Sequence, residues 1–426
     1  MSGRSIRSVL STTGHVFGDA STMAGMLCRQ RLPALVSSTT RPPSSCQGTG
    51  RLLSTTAPRY AHAIDFLPSS SAELDAVLET IRLTILVPSY LRAEQRRQLF
   101  SPRHREKLRA DPITLEIDGT VLSFTGMDLL RDMPNARAAA RDAVGRMTTR
   151  EDFDNLPRLL EGLHNAGRRL RPADYARIAR RAGERGCIYA VIESARTVRR
   201  TGFRLQTSET VAEILTHVQL RAVDSGWEEA ATRQALVWAE MVVDMLEDDQ
   251  HGRQAAATTS TTTTLPLIDA DSSATLPTSP PPPLPAFPLA RDPQVLAARL
   301  HLAAMVATQP GDGADAAKDK VARYAGELVR LWPASKGLRS LHPAATYTDR
   351  RGEMHYLDED NKFLGVAAPL LYGLDAAVAL LRGSDGELAT ALQARRDALG
   401  AEVASALVGA PDRRGAAVYK KLFGEE

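Results

Sequence analysis

Arginine is the residue type in this chain whose number and spacing could do chemistry. Between Arg168 and Arg204 stand eleven Arg against three acids, Asp174, Glu184 and Glu193, a local excess of eight positive charges. Arg177, Arg180, Arg181 and Arg185 recur at helical spacing, and Arg196, Arg199 and Arg200 continue on a second helix. With Arg168, Arg169 and Arg171 they form the candidate nucleic-acid-binding set. Guanidinium groups at this density attract phosphate, with an affinity that falls as salt removes the gain from counterion release. The same surface could instead meet anionic lipid or an acidic protein, or solvate the outer face of two helices.

Other chemistries lack their residue sets. His104-Arg105-Glu106 has the His-x-Glu spacing of a zinc deaminase, but no Pro-Cys-x-x-Cys follows to complete a metal shell. Glu353, His355, Asp358 and Asp360 crowd several oxygen and nitrogen donors together without the spacing of a calcium loop. There is no phosphate-binding Walker loop, no Gly-x-Gly-x-x-Gly and no Gly-x-Ser-x-Gly elbow. Cys28 and Cys46 lie near the N-terminus, and Cys187 precedes an apolar helix where a small core residue is expected. The chain is therefore expected to be non-enzymatic, without a cofactor or a bound metal.

The elements that must position the arginines are read as mainly α: stacked helical hairpins, an irregular solenoid or bundle, with one small β-hairpin near residues 113–124. Ser70 and Glu73 have capping-box spacing before Leu74, Val77, Leu78 and Ile81, and Pro88 is expected to end that helix. A basic segment from Arg92 to Arg109 follows and reads as a solvated helix face. Ile113, Leu115 and Ile117 alternate with polar residues before Asp118-Gly119, which suits a type I′ turn, and Val121 to Phe124 supply the return strand. Pro172 fits a first helical turn, Gly183 and Gly186 are expected to interrupt that helix, and Gly202 can supply a left-handed cap after the next.

Arg204-Leu205-Gln206-Thr207-Ser208-Glu209-Thr210 echoes Arg169 to Tyr175 at an offset of 35 residues. Asn155 to Gly167 likewise carries Leu, Gly and a terminal Ala-Gly in the places of a repeat's first helix. Over about 80 to 110 residues this resembles the pentatricopeptide and tetratricopeptide helical-hairpin families, whose repeat lengths lie near 34 to 35. The resemblance implies an α-solenoid segment that binds RNA or protein. Gly186 and Gly226 depart from it, being 40 residues apart, and an irregular bundle of hairpins is the other reading.

Residues 251–292 hold a Thr run and Pro280 to Pro283, a composition expected to be a disordered linker. Helices should resume near Asp292 and end with Phe363 to Leu381 and Gly386 to Val408. The stretch 363–381 nearly spans a bilayer in length. Asp375, Pro369 and two Gly oppose that, the charge alone costing about 2.5–3.5 kcal/mol at mid-membrane, so a buried helix and no transmembrane helix are expected.

The first sixty residues hold seven Arg, no Lys and one acid, Asp19, among many Ser, Thr and Ala. That composition predicts a mitochondrial transit peptide over residues 1–61, with Arg51-Leu52-Leu53-Ser54 or Arg59-Tyr60-Ala61 as processing sites. It also accounts for the chain's net positive charge of +3, so the body is nearly neutral and its basicity local. The expected segments beyond it are 62–127, the helical-hairpin region 128–250, the linker 251–292 and the C-terminal helices 293–426. Together these features predict a mitochondrial-matrix scaffold that binds RNA or a ribonucleoprotein such as the mitoribosome in organellar gene expression. The alternative is an assembly factor or structural subunit of a respiratory or ribosomal complex working through protein contacts, with peripheral inner-membrane contact as a further partner class.

Overall fold

The computed structural model describes residues 64–117, 120–129, 131–251, 283–310, 313–349, 352–411 and 413–424. The expected transit peptide with Cys28 and Cys46, the expected Asp118-Gly119 turn and residues 252–282 of the expected linker lie outside them. Leu74, Leu78 and Ile81 recur on one face, and α1 (Ala72–Ile81) buries all three. The strands β1 (Ile113–Ile117) and β2 (Thr120–Phe124) pair antiparallel, Ile113 opposite Phe124 and Leu115 opposite Leu122. Phe124 packs with Val87, Leu91 and Leu99 in a small core of its own. An isolated hairpin is marginal in water, so this apolar face fixes its place.

The helices α2 (Ala136–Arg146), α3 (Leu156–Asn165), α4 (Pro172–Glu184) and α5 (Ile188–Arg196) follow. After them come α6 (Ser208–Asp224), α7 (Glu229–Glu247), α8 (Pro293–Thr308) and α9 (Ala314–Leu331). The last three are α10 (Asp360–Leu381), α11 (Gly386–Gly409) and α12 (Arg414–Phe423). Helix α4 packs along α6 and against α5, α6 packs against α7, and α8 lies against α6, α7, α9 and α10. One apolar core runs from Ile64 to Ala416. Fold class thus agrees with the sequence reading: mainly helical, with one two-stranded sheet among the described residues.

Local details differ from it in four places. The cap of α1 is Ser71, whose hydroxyl accepts from the Glu73 N–H, because Ser70 is engaged elsewhere. Pro88 does not end the rod. Residues Arg82–Leu86 wind as a wide turn, with the Val87 N–H reaching the Arg82 carbonyl, and the helix then continues to Tyr90. The wider turn accommodates a proline that has no N–H to give and no room against the preceding carbonyl. Gly183 stays inside α4, where a Cβ would run into the His217 ring, whereas Gly186, at φ 71°, reverses the chain. The end of the expected linker is packed: Phe287 lies edge-on to His342, and Asp292 caps α8 through the Gln294 N–H at 3.0 Å.

Ser70 is engaged by Asp152. That buried carboxylate accepts from the Ser70 N–H and hydroxyl, both at 2.8 Å, and from the N–H groups of Thr148 and Thr149 at 2.9 and 3.0 Å. Burial alone would raise its pKa, but these donors outweigh burial and keep it well below the usual carboxylate range. The apolar stretch expected to be a buried helix is α10. It is the one described helix long and apolar enough to cross a membrane, and 61% of that window is buried within the fold. Its Asp375 receives the Arg396 guanidinium of α11 at 2.5 and 3.3 Å. Helix α8 crosses it at Gly373, where an added Cβ would collide with His301.

Asp152→Ala should lower stability to denaturant by about 3 kcal/mol, since it strands several buried donors at once. The same carboxylate, lowered in the fold, contributes fully above the ordinary carboxylate pKa of about 4 and loses its contribution as pH falls below that. The variant's deficit should therefore shrink in acid urea titrations. Gly373→Ala should cost about 1–3 kcal/mol by forcing α8 and α10 apart. Gly365→Ala, on the same helix with open space around it, should instead gain about 0.5–1 kcal/mol in the same titration.

Candidate nucleic-acid interface

Carboxylates divide the arginines of the candidate set. Asp174 accepts the Arg171 N–H at 3.0 Å at the start of α4 and lies 3.6 Å from Arg177. Arg180 bridges Glu209 and Glu213 of α6, Arg181 meets Glu184 at 3.3 Å, and Arg196 meets Glu193 at 2.9 Å. Arg200 reaches back to Glu161 of α3 at 2.6 Å. Burial raises the Glu213 pKa while Arg180 lowers it, so this half-buried pair fastens α4 to α6. These five arginines are largely committed within the fold.

Arg168, Arg169, Arg171, Arg185 and Arg199 have no carboxylate partner among the described residues, and neither has Arg204, which the candidate set omitted. Arg171 and Arg185 stand apart at the two ends of α4. Arg168, Arg169, Arg199 and Arg204 instead surround one cleft of about 590 Å3. No Asp or Glu among the described residues lines it.

Two chain reversals bring these four together. Gly167, at φ 70°, turns the chain after α3, and the Arg168 N–H closes the turn on the Leu163 carbonyl at 2.8 Å. Gly202, at φ 68°, ends the short helix Val198–Thr201 as the sequence suggested, and a Cβ there would lie 2.5 Å from His164 Nδ1. Both turns deliver the chain to a helix start, at Pro172 and Thr207, and both residues line the cleft. Helix N-termini carry partial positive charge, so the dipoles of α4 and α6 add to the guanidinium charge in the same place. Tyr175 stands at the cleft wall, its hydroxyl 3.4 Å from the Gly202 carbonyl and its ring 4.7 Å from Phe203. Burial raises the Tyr175 pKa, and the nearby charges of Arg204 and Arg169 oppose that rise. A second groove, beside α2, shares Arg168 and Arg169 and adds Arg137.

The donors that crowd together in sequence near residue 355 do not converge. His355 Nδ1 faces the Tyr347 carbonyl at 2.9 Å, and Asp360 takes the Arg339 guanidinium at 2.7 Å. Among the described residues no group of three His, Cys, Asp or Glu is placed to hold a metal ion. Cys187 is half-buried, its Sγ turned to the Arg185 carbonyl at 3.4 Å, and burial pushes its thiol pKa up, away from nucleophile range.

The fold and site define a mainly helical framework that carries one cationic cleft, with no Asp or Glu among the described residues lining it. The chain belongs to the mitochondrial ribosomal protein mS27 family, whose match covers residues 51–421. It is also 34% identical over 388 residues to the small ribosomal subunit protein mS27 of Neurospora crassa, spanning 88% of this chain and 92% of that one.

Stability and binding should separate along the line the carboxylates draw. Arg180→Ala strands Glu213 and should cost about 1–3 kcal/mol, less than a fully buried pair because the site is partly open to water. Arg169→Ala and Arg204→Ala should each change stability by less than about 0.5 kcal/mol in the same denaturation assay.

Proposed function

We propose that this protein is a structural, non-enzymatic component of the small subunit of the mitochondrial ribosome, working in the matrix, and that its arginine cleft rests on ribosomal RNA phosphate. The match over residues 51–421 to the mitochondrial ribosomal family carries the first part. A cleft with four carboxylate-free arginines and two helix N-termini supports the second. Removal of residues 1–61 as a targeting segment belongs to the same reading, with 62–127, 128–250 and 293–426 as regions of the mature chain and a linker after 250 that ends before the packed Phe287.

In this reading α4–α5 and α6–α7 are degenerate repeats of the pentatricopeptide type. Helix α4 packs along α6, as first helices of successive hairpins do, and Gly186 and Gly226 end them with φ of 71° and 66°. The 40-residue spacing of those glycines then has a simple origin. Helix α6 has 17 residues and α4 has 13, so the first helix of the second hairpin is about one turn longer. Two such units are too few for a one-base-per-repeat code, so contact with the RNA backbone is the expected mode.

Epitope-tagged protein should co-sediment with the mitochondrial small subunit on sucrose gradients. Replacing Arg168, Arg169, Arg199 and Arg204 together by Ala should lower the salt concentration at which it dissociates. For purified chain and RNA, each arginine lost should reduce the slope of log affinity against log salt by about 0.7–0.9. Protein confined to the light gradient fractions would overturn assembly into the subunit. Unchanged salt release in the fourfold variant, with nuclease-resistant association, would replace the phosphate contact by protein contacts.

A further inference from the structure

The cleft's lining is of two kinds, cationic and apolar, and that mixture goes beyond phosphate attraction. Arg168, Arg169, Arg199 and Arg204 line it together with Leu170, Pro172 and the Tyr175 ring. The Thr210 hydroxyl at its base is buried and pairs with the Thr207 hydroxyl at 2.8 Å. A surface that only tracks a regular duplex has no use for an apolar recess, because stacked bases present their faces to each other and only phosphates outward. A volume of about 590 Å3 instead falls within the range of small-molecule pockets.

Resting on the ribosomal RNA reading above, we propose that this cleft takes a single unstacked nucleotide, such as a bulged or looped-out residue. The base lies against Leu170, Pro172 and the Tyr175 ring, and the flanking phosphates lie on the four arginines. Extruding a base costs a few kcal/mol in a paired helix and far less where the base is already unpaired, so the cleft selects irregular RNA over flush duplex. The arginines supply the sequence-independent attraction and the recess supplies the preference.

The test compares two synthetic RNA hairpins of equal length and charge, one with a flush stem and one with a single-nucleotide bulge, bound by the full chain at fixed salt. The basic first sixty residues act on both probes alike, so the ratio reports the cleft. We expect about tenfold tighter binding of the bulged hairpin. Leu170→Trp, which fills the recess without changing charge, should reduce that ratio to near one, while Arg169→Ala with Arg204→Ala should weaken both probes together. A 4-thiouridine placed at the bulge should photocrosslink the wild-type chain within 160–175 or 198–210, a readout that needs no variant to fold. Equal, salt-sensitive binding of both probes, or crosslinks outside those segments, would overturn the nucleotide pocket and leave the phosphate contact standing. Absence of binding to either probe would overturn both.

Discussion

A helix that is apolar on every face has to be enclosed, and the rest of this structure is arranged around the one that is. From Pro293 to Ala307 helix α8 is buried almost without interruption. Helices α6 and α7 cover it from the hairpin region, α9 and α10 from the C-terminal side. His301 marks the tightest point. It fits against Gly373 of α10, and its Nδ1 meets Gln219 Oε1 of α6 at 2.8 Å. Burial lowers the His301 pKa to about 3, so the ring stays neutral, as a core position requires. Because α8 touches both halves, the hairpins carrying the arginines are backed by the C-terminal helices.

That backing decides which charges are available. Arg180 is drawn toward Glu209 and Glu213 because α4 packs along α6, and Arg414 of α12 reaches Glu184 at the far end of α4. Charge compensation is therefore concentrated along the packed lengths of the helices. At the turns before Pro172 and Thr207 there is no facing helix to bring a carboxylate, and Arg168, Arg169, Arg199 and Arg204 remain uncompensated. The cationic cleft is a by-product of where helix packing stops.

Much of the framework was legible in the sequence. The periodicity of Leu74, Leu78 and Ile81, the alternation of Ile113 and Leu115, the left-handed Gly202 and the buried character of the 363–381 stretch all have local causes, and the structure realises each. The misread points share a different cause. Ser70 looks like a cap until Asp152, 82 residues away, takes both its polar groups. Pro88 looks like a stop until the turn before it widens, and Gly183 looks like a break until His217 occupies the space a side chain would need.

The sequence alone determined the helical class, the basic concentration between Arg168 and Arg204, and the Arg-rich, acid-poor opening, because composition and periodicity are properties of neighbours along the chain. Only the tertiary structure decided which of those arginines are free to bind. Arg177, Arg181 and Arg196 pair three residues away, but the partners of Arg180 and Arg200, Glu209 and Glu161, lie 29 and 39 positions distant, and no local pattern encodes that pairing. Arg204, outside the candidate set, joined the cleft for the same reason. Charge is written in the sequence, but its neutralisation is a matter of distance in the fold.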